Sequence, residues 1–100
     1  MRFLTVKNWK EFQHYAKRNP PWIKLHRALV DDYAFCALPD AVKGHLLMLW
    51  LYASQHNGSI PIDTDFLQKK LSITDLDFQP LIDAGFLISP DAASISLARG

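Results

Sequence analysis

The spacing of apolar residues predicts a first helix over residues 23–32. Four apolar residues within or directly beside this range recur at i, i+3, i+7 and i+11, which is one stripe of a helix: Trp22, Leu25, Leu29 and Tyr33. The preceding Asn19-Pro20-Pro21 predicts an extended break, because proline removes N–H donors and pushes the residue before it out of the helical region. The helix therefore starts after this break.

A second helix is predicted over residues 40–56. Pro39 suits the start of a helix, and Asp40 is favourable beside the positive end of its dipole. Apolar residues occupy most of the circumference, which is typical of a buried central helix. We expect Asn57-Gly58 to end it, with one of the two in the left-handed conformation.

Two further helices are predicted over residues 64–71 and 75–84. Asp63 or Thr64 can cap the earlier one. For the later one we expect Asp77 to be the N-cap, which makes Pro80 the third helical residue, where no intrahelical donor is lost. Gly85 follows in the position of a C-terminal cap.

The remaining segments predict short strands. Phe3–Val6 is a β-prone run, and Ser59–Ile62 is long enough for a single rung. Residues 86–97 are expected to form a strand, a turn and a second strand. The fold class expected is therefore mainly α with a small β-hairpin. The order of helix, strand, two helices and hairpin is that of a winged helix-turn-helix domain, with the hairpin as its wing.

The chain has 100 residues, about one domain's worth, and 49% of them are apolar. We predict a basic aromatic N-terminal arm over residues 1–21 and a winged-helix domain over residues 22–100. The single Cys36 cannot pair within the chain, which favours a reducing compartment, and cytoplasm is the default. The longest apolar run has 8 residues, too few for a membrane span, which needs about 20.

Charge is strongly segregated along the chain. Residues 1–30 hold seven Lys and Arg against one Glu, a net +6, whereas residues 31–100 hold four against nine Asp, a net −5. Such asymmetry suggests an electrostatic partner for the basic segment, with nucleic acid the first candidate. The alternative is that the basic segment lies across the acidic body of the same chain.

Several short motifs across residues 5–90 carry a resemblance to a known family: Trp22-Ile23-Lys24-Leu25-His26, Leu29-Val30-Asp31-Asp32, Phe35 to Leu38, Leu49-Trp50-Leu51-Tyr52-Ala53, Gly58-Ser59-Ile60-Pro61 and Leu81-Ile82-Asp83-Ala84-Gly85-Phe86-Leu87. With them the chain resembles the amino-terminal winged-helix domains of bacteriophage and prophage replication proteins, called replisome organisers or replication initiators. The resemblance implies a domain that binds origin DNA or organises the replisome. It also implies replication-protein partners, a helicase or its loader, engaged through a further C-terminal region. We expect either a fragment of such a protein or a small stand-alone relative.

The chain departs from this family in one respect, and the departure changes which residues are expected to contact DNA. Residues 74–84, where a winged helix carries its recognition helix, hold three Asp and no basic residue, and carboxylates repel a phosphate surface. Contacts to duplex or single-stranded DNA are therefore expected from the basic segment and from the preceding helix: Lys7, Lys10, Lys17, Arg18, Lys24, Arg27, Gln68, Lys69 and Lys70. The aromatic residues Trp9 and Tyr15 can stack on bases, but we favour core anchoring for Trp9, Phe12 and Trp22.

Other function classes remain as alternatives or are disfavoured. A protein-interaction module, acting in dimerisation or replisome assembly, is the main alternative, and a small phage-type transcriptional regulator is a second. An enzyme is not expected, because aspartates at helix starts are explained by capping and no phosphate-binding or nucleophile motif occurs. No cofactor or metal is expected, since the four His and Cys36 lack ligand spacing. Cys36 is expected to be a small buried hydrophobe.

Overall fold

An antiparallel sheet of three short strands is centred on the N-terminus of the chain. In this computed structural model, which describes residues 2–9 and 21–90, β1 spans Phe3–Val6, β2 spans Ser59–Pro61 and β3 spans Leu87–Ile88. The strand order is β2-β1-β3. The sheet therefore joins the start of the chain to two segments more than 50 positions away.

The register fixes which side chains of β1 face the core. Leu4 pairs with Ile60, and Val6 pairs with Leu87. All four of these side chains are buried, whereas Phe3 and Thr5 point to the other face. This alternation is the period of two that an extended strand imposes. The predicted β-prone run at Phe3–Val6 is confirmed as a strand.

The predicted helix over residues 23–32 is wrong in form. Residues 23–26 adopt no regular secondary structure, a 3-10 helix spans Arg27–Asp31, and a one-turn α1 follows at Tyr33–Cys36. Two polar side chains interrupt a continuous helix. His26 Nδ1 accepts from Ala28 N–H at 3.2 Å, and Asp32 Oδ1 accepts from Phe35 N–H at 2.9 Å, with both residues in extended conformation. Such local bonds compete with helical ones.

The central helix is confirmed, with an earlier end than predicted. Helix α2 spans Asp40–Ala53, and Asn57 and Gly58 both have positive φ in the turn that follows. Gly58 N–H donates to the carbonyl oxygen of Ala53, so the chain turns back directly after the helix. Burial is concentrated in the second half of α2, where five residues lie in the core: Leu46, Leu49, Trp50, Tyr52 and Ala53.

Helix α3 spans Thr64–Leu71, as predicted, and its N-cap is Asp63. The predicted helix over residues 75–84 is shorter: α4 spans only Gln79–Asp83, with Phe78 rather than Asp77 at the N-cap position. Asp75 has a φ of +57°, and Asp77 Oδ1 accepts from Gln79 N–H at 3.0 Å. Residues 75–78 adopt turn conformations, so the helix begins only at Gln79.

The end of α4 follows the prediction for Gly85. Its φ is +86°, Gly85 N–H donates to the carbonyl oxygen of Ile82, and Phe86 N–H donates to that of Leu81. This pair of bonds is a Schellman motif, which requires the left-handed conformation that glycine adopts without strain. The motif sends the chain directly into β3. The second predicted wing strand, residues 94–97, lies outside the described residues.

One hydrophobic core joins the sheet to the helices. Its fully buried side chains come from β1, α2, β2, α3, α4 and β3: Leu4, Leu46, Leu49, Ile60, Leu67, Leu81 and Leu87. Trp9 is also buried in it, as predicted, whereas the prediction of core anchoring is wrong for Trp22, which is 53% exposed, and Phe12 lies outside the described residues. The sequence assigned residues 1–21 to an arm, and here residues 3–9 contribute to the core. Residues 10–20 are not described, so the extent of the arm stays a prediction.

The coarse fold class is thus a small, mainly helical domain with an antiparallel sheet. Within the described part of the chain, no helix has the length and apolar character needed to cross a bilayer.

Candidate nucleic-acid interface

Two of the predicted DNA contacts, Lys24 and Arg27, lie near the start of the 3-10 helix. Lys24 lies in the extended segment before it and Arg27 is its first residue, and both side chains are exposed. Within residues 2–9 and 21–90, no carboxylate forms a salt bridge with Arg27. Its guanidinium is therefore available to an anion from solution.

Lys7 lies at the opposite end of β1 from Arg2. Its backbone N–H donates to the carbonyl oxygen of Phe86 at 3.1 Å, which places Lys7 beside the turn between α4 and β3. Its amine lies near Gly85, since a β-carbon on that glycine would be 3.8 Å from Lys7 Nζ. The side chain is exposed. Lys10, Lys17 and Arg18 lie outside the described residues.

Gln68 has a structural role that the sequence did not indicate. Its side-chain oxygen accepts from Leu76 N–H at 2.8 Å in a partly buried position. The backbone carbonyl of the same residue accepts from Ile73 N–H. Gln68 therefore holds the connector between α3 and α4 against α3, and its carbonyl oxygen is committed to the fold.

Lys69 and Lys70 differ in their surroundings although both are exposed in the last turn of α3. Lys69 lines a shallow groove of about 410 Å³ between α3 and the following connector, together with Asp65, Gln68, Ile73, Thr74 and Asp75. An anion at Lys69 would meet two carboxylates. Lys70 is not in that groove, and it lies four residues after Phe66, on the same side of the helix.

The segment from Asp75 to Asp83 is acidic. Its three aspartates are exposed, and the helix within it has only five residues. Gln79 is the residue of α4 best suited to reading a base, but its side-chain amide donates to Asp83 Oδ1 at 2.8 Å. The side-chain amide of Gln79 is thus hydrogen-bonded within α4.

A second concave feature, here called the aromatic cleft, lies between the outer face of the sheet and α3. It has a volume of about 200 Å³ and is lined by Phe3, Tyr52, Pro61, Asp63 and Phe66. Phe3 and Pro61 are cross-strand partners on the face that points away from the core. The rings of Tyr52 and Phe66 meet edge to face, with centroids 6.3 Å apart.

The two walls and the floor of the aromatic cleft differ in burial. Phe3 is 46% exposed and Phe66 is 44% exposed, whereas Tyr52 is only 8% exposed. Tyr52 is held from its other side by His56, whose ring stacks on it at 4.3 Å. The floor is therefore fixed, and much of each phenylalanine ring remains open to solvent.

Sequence reasoning did not identify this cleft. Its residues come from β1, α2, β2, the cap of α3 and α3 itself, so no local motif joins them. Phe66 follows the helix start directly and precedes the fully buried Leu67, but Phe66 itself is 44% exposed. Cys36 was expected to be buried, but it is exposed, and its thiol donates to the carbonyl oxygen of Val30 at 3.2 Å. Among the described residues, no group of three or more potential metal ligands comes together. No known protein family, curated protein or solved structure matches the chain.

Proposed function

We propose that this chain is a non-enzymatic DNA-binding domain of a phage-type replication protein. It contacts the DNA backbone mainly through the basic segment that includes Lys7, Lys24 and Arg27. The observation that carries the proposal is the segregation of charge, +6 over residues 1–30 against −5 over the rest. Cations concentrated in one segment bind a polyanion by releasing its condensed counterions.

The surroundings of two cations of the basic segment support this proposal. Lys7 and Arg27 are both exposed, and neither forms a salt bridge with a carboxylate of the described residues. Lys7 and Arg27 thus remain accessible to phosphate.

The order of elements supports a winged-helix architecture. Helix α2, strand β2, helices α3 and α4 and strand β3 follow one another as in that fold. One difference is that β1 occupies the position between β2 and β3. Because α4 is short and surrounded by aspartates, we assign DNA contact to the basic segment rather than to α4 in the major groove.

The proposal is tested by fluorescence anisotropy with labelled duplex and single-stranded DNA. Wild-type protein is expected to bind at low salt, with an affinity that falls steeply as salt is added. Lys17→Glu and Arg18→Glu are each expected to weaken binding. Lys43→Glu is the control, since it changes the net charge equally at a residue outside the proposed contact set. Equal affinity of wild type and both basic-segment variants would refute the proposal.

A second candidate function, a protein-interaction module, is favoured by one observation. Val30 is 75% exposed and Tyr33 is 87% exposed on consecutive short helices, and exposed apolar groups of this size are typical of association surfaces. Light scattering with and without DNA separates the two functions. A dimer whose mass ignores DNA at low salt supports interaction, whereas a monomer that shifts on DNA supports DNA binding.

A further inference from the structure

The aromatic cleft has a buried floor and two open walls. Tyr52 belongs to the core, whereas Phe3 is 46% exposed and Phe66 is 44% exposed. Removing apolar surface of this kind from water is favourable. Two such rings facing one cleft therefore form a surface on which a flat apolar group gains free energy by docking.

We propose that the aromatic cleft binds one unpaired base of single-stranded DNA. The inference rests on the proposed function, which brings DNA to this protein, and it adds a site that the basic segment does not include. Every base presents a π-face, and stacking on aromatic side chains is the usual way proteins hold single strands. The size of the cleft agrees: at about 200 Å³ it is smaller than the pockets of about 300 to 1,000 Å³ that hold drug-sized ligands.

The lining of the cleft carries one charged group, the carboxylate of Asp63, so a cation for the phosphate of a nucleotide has to lie beside the cleft. Lys70 lies one helical turn after Phe66 on the exposed side of α3, where it can contact a phosphate beside the stacked base. No carboxylate of the described residues forms a salt bridge with it. A base on Phe66 and a phosphate on Lys70 match the usual combination of aromatic and cationic contacts on single strands.

Asp63 gives the cleft a preference among bases. Its Oδ1 accepts from Phe66 N–H at 3.0 Å, which fixes the carboxylate at the mouth of the cleft. The described residues give its other oxygen no hydrogen bond, so that oxygen can accept from an exocyclic amino group. Cytosine, adenine and guanine each carry such a group on the edge they use for pairing, whereas thymine has none. These three bases are therefore favoured over thymine.

The cleft selects single strands over duplex. A base inside a duplex is stacked on both faces and paired along its edge, so that inserting it into a protein site requires extrusion at a cost of a few kcal/mol. Nothing in the cleft supplies a wedge that would replace the base in the stack. An already unpaired base enters without this cost.

The experiment compares oligonucleotides of equal length and charge. Wild-type protein is titrated by fluorescence anisotropy with a 12-nucleotide strand of dC, the same strand of dT, and an abasic strand with the same phosphates. We expect dC to bind about tenfold more tightly than the abasic strand, in line with about 1 to 3 kcal/mol per stacked base. Binding of dT is expected to fall between them.

Variants assign the effect to the cleft. Phe66→Leu keeps an apolar side chain on α3 but removes the aromatic face, and it should abolish most of the advantage of dC over the abasic strand. Ile88→Ala removes an exposed apolar side chain from β3, on the other side of β1 from β2, and should leave that advantage unchanged. Asp63→Ser retains a hydroxyl that can cap α3. It should remove the preference for dC over dT and leave the advantage of dC over the abasic strand.

The outcomes separate this inference from the proposed function. If wild-type protein binds the abasic and dC strands equally, the cleft does not hold a base, while backbone binding stands, and an apolar side chain of a protein partner becomes its occupant. If neither these strands nor duplex DNA binds at low salt, the proposed function fails and the inference fails with it, whereas binding of duplex alone refutes the inference only. The comparison of strands uses wild-type protein, so it holds even if a variant does not fold.

Discussion

The indole ring of Trp9 packs directly on the α-carbon of Gly58. A β-carbon added to this glycine would lie 2.7 Å from Trp9 Cγ, closer than any real contact of that kind. Gly58 also accepts a hydrogen bond from Val6 N–H through its carbonyl oxygen at 2.9 Å. The pair therefore fixes the N-terminal strand against the turn after α2.

Gly58→Ala is predicted to be strongly destabilising. The φ of +84° costs a residue with a β-carbon about 1 to 2 kcal/mol, and overpacking against a buried ring costs a further ~1 to 3 kcal/mol. Urea denaturation should show a lower midpoint with an unchanged slope. A midpoint within error of the wild type would mean that Trp9 does not occupy this position in solution.

Gly44→Ala is the matched control, with the opposite sign. Gly44 lies within α2 on an exposed position, and a β-carbon there meets nothing within 4 Å. Because alanine is favoured over glycine inside a helix, we expect a gain of about 0.5 to 1 kcal/mol in the free energy of unfolding. The same denaturation experiment checks it, and destabilisation would contradict the assignment of α2.

Gly85→Ala separates backbone strain from crowding. Its φ of +86° matches that of Gly58, yet a β-carbon would meet only the flexible end of Lys7 at 3.8 Å. The loss of stability is expected to be the backbone cost alone, about 1 to 2 kcal/mol. Thermal melting should give Gly58→Ala a lower melting temperature than Gly85→Ala. The reverse order would contradict the added cost of crowding at Gly58.

Local signals account for the elements that the sequence predicted well. Asp63, which precedes an apolar helix face, predicted the start of α3 correctly, and Gly85 predicted the turn that ends α4. Both predictions succeed because a cap depends on the chemistry of one or two residues. The helix over residues 23–32 failed for the same kind of reason. Its apolar spacing is helical, but the side chains of His26 and Asp32 bind nearby backbone N–H groups and divide it.

Long-range pairing could not be read from the sequence. Nothing within Phe3–Val6 indicates that it becomes the centre of the sheet, since that depends on partners at residues 59–61 and 87–88. The aromatic cleft is hidden for the same reason. Phe3 and Phe66 line one cleft only because β1 pairs with β2 and β2 leads directly into α3.

Gln68→Ala is predicted to lower stability rather than DNA affinity. The change leaves the partly buried N–H of Leu76 without its acceptor, which costs about 1 to 3 kcal/mol. Lys69→Ala, one position on and exposed, should change stability by no more than about 0.5 kcal/mol. Denaturation and DNA titration of both variants test this assignment. A Gln68→Ala protein with wild-type stability and weakened DNA binding would return Gln68 to the interface.

Arg27→Gln is predicted to change the salt dependence of DNA binding. Each phosphate that a cation neutralises contributes about −0.9 to the slope of log affinity against log salt for duplex DNA and about −0.7 for single strands. Since Arg27 is exposed and forms no salt bridge with any described carboxylate, its loss should reduce the magnitude of the slope by nearly one such increment. Lys43→Gln removes the same charge from a lysine already paired with Asp40 and should leave the slope unchanged. Anisotropy titrations across a range of salt concentrations measure both. A parallel shift of the Arg27→Gln line, with no change of slope, would mean that this guanidinium contacts no phosphate.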